Sequence, residues 1–352
     1  MDQTATTSLR IRNATLTQIV CLTILLMGVI LVSTGMGYIK IPLPAVVKII
    51  VAKISGNLSF IKGLDEIFPV VIFEVRMPRI LTAALVGAGL AMSGVVFQGI
   101  LLNPLADPYT LGVSAGAAFG ASLAILLNIH FLGTYSVALF AFIGAASTLI
   151  FVIYLSSSAE GLSSNNLILS GIIVAAILSA GISFLKYVAD EQVAIIIFWL
   201  MGSFGSKTWT DVTLIITIVC FGFLIFIFYA RDLNLMSLGN RAASSLGVDT
   251  AKVTLVLLAS ASFVAAICVS VSGIIGFVGL LVPHIIRLIT GPDNKKLLPV
   301  SMLAGAILLL CADTITRAVL PSEIPIGVLT ALIGGPFFCY IFRKQQKSRR
   351  VT

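Results

Sequence analysis

The chain has 352 residues, 59% of them hydrophobic and only 10% charged, with a mean hydropathy of +1.12. That balance excludes a soluble globular domain and defines a polytopic membrane protein. The formal net charge of +8 does not mark a nucleic-acid binder, because the basic residues are scattered at the ends of apolar segments and gathered in a tail at 343–350, as expected of cytoplasmic anchoring.

Residues 1–13 are polar and carry Arg10 and Arg12, and an apolar run follows at 14–36. The run is too long for a signal peptide and lacks a small-residue cleavage site, so it is a first span with its basic end in the cytoplasm. Residues 37–75 mix prolines, glycines and short apolar pieces, and are placed outside as turns and short helices. Arg76-Met77-Pro78-Arg79 then opens a second span at 80–102, dense in Gly87, Gly89, Ser93, Gly94 and Gly99. Small residues let helix backbones approach closely in a membrane, so this helix is expected to be buried in the bundle. It ends at Asn103-Pro104, because the residue before a proline is pushed out of the helical region. Asp107-Pro108 continues the turn, and the loop 103–112 is assigned to the inner side.

Further spans follow at 114–128, 135–156 and 166–188, with a second inner loop at 157–165 between the last two. The outer segment 190–209 holds an apolar stretch at 192–203 that is too short to span. Trp199 and Trp209 mark it as a helix lying at the interface. The stretch 202–208 superficially resembles a phosphate loop, but Ser206 precedes Lys207 and no strand leads into it, which excludes a nucleotide site. Spans six and seven, at 212–230 and 253–272, enclose the polar segment 231–252. There the sequence 240–247 predicts a short helix, with Asn240 capping its start and Gly247 supplying the left-handed residue that ends it.

The eighth apolar segment, 273–291, is short for a span. Pro283 is expected to kink it, leaving His284 and Arg287 near the inner end. Segments 297–319 and 325–342 complete ten spans, which put both termini on one side, cytoplasmic by the excess of Lys and Arg. The expected fold is therefore all-α and polytopic, one membrane domain over 1–352, with about ten transmembrane helices and a short cytoplasmic helix between spans six and seven. Residues 1–13 and 343–352 are cytoplasmic tails. Five spans per half would reverse the second half, which hints at an inverted repeat.

Five cysteines without paired spacing and two histidines suggest neither a disulfide framework nor a metal site, and no resident cofactor is expected. Ionisable residues are nearly absent from span centres, which argues against an ion-coupled carrier. Asp313 and Arg317 are an exception, four residues apart near the outer end of their span, where a local ion pair is expected. The fifth span offers Ser170, Ser179 and Ser183, small weakly polar groups suited to a pathway that passes a bulky solute without gripping it.

Several motifs occur in a fixed order. They are Arg76-Met-Pro-Arg79 with its glycine-rich span, Asn103-Pro-Leu-Ala-Asp-Pro108, Trp199-Leu-Met-Gly-Ser203, Gly276-Phe-Val-Gly-Leu-Leu-Val-Pro-His-Ile-Ile-Arg287, Ala312-Asp-Thr-Ile-Thr-Arg317 and Glu323-Ile-Pro-Ile-Gly327. Together they resemble the iron-siderophore, haem and vitamin B12 family of ABC import permeases, the FecCD type. The resemblance implies a permease of the prokaryotic plasma (inner) membrane that pairs with a second copy or a homologous permease. It implies two copies of an ATP-hydrolysing subunit inside, a substrate-binding protein outside, lipid around the bundle and no nucleic acid. ATP hydrolysis would reside on the partner and drive alternating access.

Carried over by motif, Arg241, Ala242, Ala243, Leu246 and Gly247 would form the coupling helix that docks on the ATPase. Arg241 stands where the family pattern has Glu, and an ordinary helical connection is the alternative. Arg76, Arg79 and Arg317 would receive acidic residues of the binding protein. Headgroup pairing, or intrachain pairing with Glu74, Asp313 or Glu323, is the alternative there. Asn103, Pro104, Leu105, Ser163, Ser164 and Asn165 would form a cytoplasmic gate, and they are also helix-ending turns. The cargo implied is an iron(III)-siderophore or haem, with vitamin B12 as the alternative, a molybdate-type oxyanion further off, and ion-coupled secondary transport as the alternative mechanism.

Overall fold

A computed structural model describes residues 2–349 apart from 62, 134, 159–160 and 319–322. The expected span end at 319 and tail positions 350–352 lie outside the described residues. Helices dominate: α1 (Asp2–Gly35), α2 (Leu43–Ser55), α3 (Ile67–Ile100), α4 (Val113–Leu126), α5 (Tyr135–Ser156), α6 (Ser164–Val188) and α7 (Val193–Leu200). They continue with α8 (Trp209–Phe228), α9 (Ala230–Met236), α10 (Asn240–Ser245), α11 (Thr250–Ser272), α12 (Val278–Thr290), α13 (Asn294–Ala318) and α14 (Ile326–Arg349). A two-residue antiparallel pairing, Ser157–Ser158 with Gly161–Leu162, is the extended structure among the described residues.

Seven of the described helices, namely α1 from Thr15, α3, α5, α6, α8, α11 and α13, are long and apolar enough to cross a membrane. Three apolar helices are shorter: α4, α12 and the Ile326–Tyr340 part of α14. Most element boundaries fall where the apolar runs place them. The second span, however, starts well before Ile80. Its helix begins at Ile67 and passes through a π turn at Val71–Arg76, where the N–H of Met77 reaches back to Ile72 O. Pro78 has no N–H to return to the carbonyl one α-turn back, and the widened turn lets the helix continue across that gap.

α3 is the axis of the molecule. Its apolar window is 89% buried, against 0% for α1 and 22% for α6, which confirms the expectation for the glycine-rich span. Glycines account for its position by allowing backbone contact. A Cβ on Gly87 would lie 2.2 Å from Gly305 O in α13, and one on Gly94 would lie 1.8 Å from Gly279 O in α12. Neither crossing could hold a side chain, so α12 and α13 approach α3 more closely than larger residues allow.

The eighth apolar segment departs from expectation. Residues 273–277 are not helical, and α12 keeps only 13 residues, with Pro283 inside it. A long helix, an irregular turn and a half-length helix therefore occur twice in the chain, as α3, 101–112 and α4 and again as α11, 273–277 and α12.

Candidate functional site

At one end of α3 five charged side chains from three segments meet. Asp313, 1% exposed, receives Arg79 through Nε at 3.0 Å and Nη2 at 2.9 Å, and Arg317 Nε lies 3.3 Å from its other oxygen. Arg79 Nη1 also donates to Glu323 Oε1 at 3.1 Å. The remaining donors turn to the end of α1. Arg317 donates to Met36 O at 2.6 Å and to Ser33 O at 2.6 Å, while Arg76 donates to Thr34 O at 2.7 Å and to Ile39 O. The last carbonyls of a helix have no partner within it and carry its negative dipole end, so two guanidinium groups are a strong cap for them. The arrangement ties α1, α3, α13 and the segment before α14 into one joint.

Arg76, Arg79 and Arg317 are thus brought together, but with their donors directed into the chain. Arg76 is 6% exposed, and Asp313 and Glu323 are the acidic partners while Glu74 stays exposed. The sequence held this intrachain pairing open as one alternative. It missed the capping of α1, for which no local signal exists, since the partners lie 37 to 284 positions apart. At the same end Lys207 donates to Val271 O at 2.7 Å. Burial draws its pKa below the ordinary lysine value, opposed by nearby Asp211.

Midway along α3 the two irregular turns meet. Asp107 caps a 3-10 turn at Pro108–Leu111, accepting from Tyr109 N at 3.1 Å and Thr110 N at 3.0 Å. Tyr109 then donates through its hydroxyl to Ile275 O at 2.7 Å. Gly279, the second residue of α12, has Leu90 O and Pro108 Cδ as neighbours. Leu90 is ten residues, about 15 Å of helix, from Ile100, so the 108–112 part of the loop dips into the bundle instead of staying on the inner side. α4 and α12 both begin at this depth, and their non-helical leads are packed against protein or, at Ile274 and Gly276, line a cavity, where irregular backbone is tolerated within a membrane.

At the opposite end of α3 lie the loops assigned to the gate and to coupling. Asn103 Oδ1 accepts Leu105 N at 2.9 Å and closes the turn around Pro104. Ser163 caps α6 by accepting Asn166 N at 3.2 Å, and Ser164 Oγ donates to Ile100 O at 3.4 Å, so the 103–105 and 163–165 turns are neighbours. Asn165 is exposed. The pathway serines do not share a surface. Ser179 and Ser183 are exposed on one face, with Ser183 Oγ donating to Ser179 O, whereas Ser170 is buried, nine residues and thus half a helical turn out of phase.

α10 forms where the sequence predicts it, although Gly239 and not Asn240 occupies the capping position, and Asn240 is the first helical residue. Its end is a Schellman turn. Gly247 has φ +88°, its N–H donates to Ser244 O at 3.0 Å, and Val248 N donates to Ala243 O at 3.1 Å. Ala243 and Val248 are buried, while Arg241 and Leu246 are exposed and Ala242 is half-buried. Behind this helix is a group that sequence reading missed. Asn234 of α9 donates to Asp293 Oδ1 at 2.7 Å, and its carbonyl accepts the Asn294 backbone at 2.9 Å and side chain at 2.8 Å. The polar residues of the 291–294 turn were the available signal, but nothing local points to Asn234.

The profile of the FecCD transport family matches residues 24–344. The chain belongs to that family. Among its relatives are the cobalamin import system permease protein BtuC of Halobacterium salinarum, 42% identical over 81% of this chain and 76% of the relative, and the molybdate import system permease protein MolB of Haemophilus influenzae, 40% identical over 93% and 95%. The hemin transport system permease protein HmuU of Yersinia pestis is 41% identical over 77% and 82%. A solved inward-facing ABC transporter assigned to the metal-chelate type superposes with a TM-score of 0.81 at 36% identity, covering 93% of this chain and 98% of the other. As a FecCD member the chain is a multi-pass ABC transporter permease subunit, and the ATPase is a separate subunit.

Proposed function

We propose that this FecCD chain is the membrane subunit of an ATP-driven importer whose cargo is a metal chelate, an iron(III)-siderophore or haem. The observation that carries the reading is α10. Ala243 packs its inner face onto the core, a Schellman turn closes it, and its outer face presents Arg241 and Leu246 at the end of α3 opposite the arginine joint. A rigid exposed helix between two spans suits docking on an ATPase, and two such subunits would serve a pair of permeases made of two copies or of this chain with a homologue.

In this reading the seven long helices and three shorter ones make ten crossings of a single domain, with both termini and the 231–252 and 343–352 segments in the cytoplasm. The neighbouring 103–105 and 163–165 turns close the pathway on that side, and Leu105 is its apolar plug. A binding protein docks at the arginine end, where partly exposed Arg79 and exposed Glu323 are the groups it would meet, with Arg76 and Arg317 holding the surface in shape. Of the pathway serines, Ser179 and Ser183 fit a weakly polar wall.

Cobalamin is the second reading of the cargo, favoured by the identity to the cobalamin permease. Reconstitution in vesicles with its ATPase and binding protein tests the proposal. A ferric siderophore or haem should accumulate only when ATP and loaded binding protein are both present. Uptake driven by a proton gradient without ATP would overturn the mechanism, and uptake restricted to cobalamin or molybdate would overturn the cargo alone.

A further inference from the structure

An apolar recess lies on the membrane face of the bundle, away from the turns and loops discussed above. It encloses about 440 Å³ between α1 and α8, with α3 and α13 as its floor. Ala84, Ala88 and Ala306 leave the space by being small, Ile30 and Cys220 form its walls, and Leu224, 64% exposed, stands at its open rim. None of its fifteen lining residues carries a charge, an amide or a hydroxyl. Water cannot fill it, because a buried water needs two to four polar partners. Left empty it would forfeit dispersion contacts along its whole lining.

Shape decides between the occupants a membrane offers. The lining runs along α8 from Val212 to Leu224, twelve residues or roughly 18 Å of helix. Dividing 440 Å³ by that length, and widening the result by the ~1.4 Å radius of a water-sized sphere, gives a mean cross-section of about 55 Å², narrower than the ~80 Å² of a helix some 10 Å across. A helix of a second copy does not enter such a slot, whereas one extended hydrocarbon chain does. The length also matches a single leaflet, about half of a ~30 Å hydrocarbon core. Trp209 sits one turn beyond Val212, is 42% exposed, and donates through its indole to Phe73 O, which sets the headgroup level at that end.

We infer that this recess is a specific lipid site. It takes one acyl chain of a phospholipid from the leaflet at the arginine-joint end, seated over the crossing of α3 and α13. The inference depends on the membrane fold and is independent of the cargo.

Native mass spectrometry of the full chain, purified in mild detergent, tests it. One phospholipid per chain should be retained by the wild type and restored, after delipidation, by added palmitoyl-oleoyl phosphatidylglycerol. Cys220→Trp, which fills the slot from an exposed position, should lower that occupancy about tenfold, while Leu169→Trp on the exposed face of α6 leaves it unchanged. If Cys220→Trp does not give a monodisperse protein, Leu224→Trp at the rim replaces it with the same expected loss. Absence of bound lipid from the wild type, equal retention in the filled variant, or occupation by a second copy of the chain would each overturn the site.

Discussion

The two ends of α3 are held by different physics. At the Arg76 end the contacts are long-range and charged. Asp313 is almost wholly buried between two guanidinium groups, and α1 is capped by side chains from α3 and α13. At the Ile100 end the contacts are local or made by neutral amides, namely the Schellman turn of α10, the Asx-type turn at Asn103 and the Asn234 group. A buried ion cluster tolerates little displacement, because separating its members leaves a charge without a partner. A neutral amide or backbone bond contributes only about 0.5–1.5 kcal/mol net, less than breaking a buried ion pair costs. The difference predicts that the arginine end resists displacement more than the α10 end.

The largest effect that tests this contrast is removal of the joint's centre. Asp313→Ala should cost about 3–5 kcal/mol, since it leaves Arg79 and Arg317 facing each other while buried, and denaturation in detergent reads it as a large drop in the unfolding midpoint. A loss below about 1 kcal/mol would mean that the cluster is ornamental. Asn234→Ala comes next, at about 1–3 kcal/mol, because it strips partners from Asn294, which is 5% exposed. Protection of the 291–294 amides in hydrogen exchange should fall with it, and unaltered protection would contradict the role given to Asn234.

Tyr109→Phe removes one hydrogen bond between the two irregular turns and should cost about 0.5–1.5 kcal/mol, with the fold retained. Equal stability and equal exchange at 273–277 would show that the contact is incidental. Glu323→Ala is expected to change stability least, by under about 1 kcal/mol, because Glu323 is 59% exposed and its pairing with Arg79 is screened. A cost approaching that of Asp313→Ala would erase the distinction between the buried and exposed members of the joint.

The same contrast explains what the sequence discloses. The spans, the buried glycine-rich helix and α10 are legible because their causes are local: apolar length, a high density of small residues, and a glycine where a helix must end left-handed. Of the joint, the sequence shows the Asp313–Arg317 pair and, as an alternative, intrachain pairing of the arginines with Asp313 or Glu323; the capping of α1 is not legible, since Arg76 and Arg317 act on carbonyls that no sequence pattern marks. Ser170, Ser179 and Ser183 share a residue type but not a helical phase, and the phase separates Ser170 from Ser179 and Ser183. The irregular 273–277 segment has the apolar composition of the start of a span. Its packing against the 199–202 turn, α14 and Tyr109, which supports a break there, is a tertiary fact.

The proposed function has work entering this permease through α10, and Gly247 gives the most direct access to that proposal. Its φ of +88° strains any β-branched residue, yet a Cβ there would meet no atom within 4 Å, so Gly247→Val alters the turn without a clash. The decisive measurement is the rate of ATP hydrolysis by the assembled transporter with and without loaded binding protein, wild type against Gly247→Val. The account predicts normal insertion and assembly but a hydrolysis rate that no longer responds to the loaded binding protein. A variant that assembles and keeps the wild-type response would contradict it.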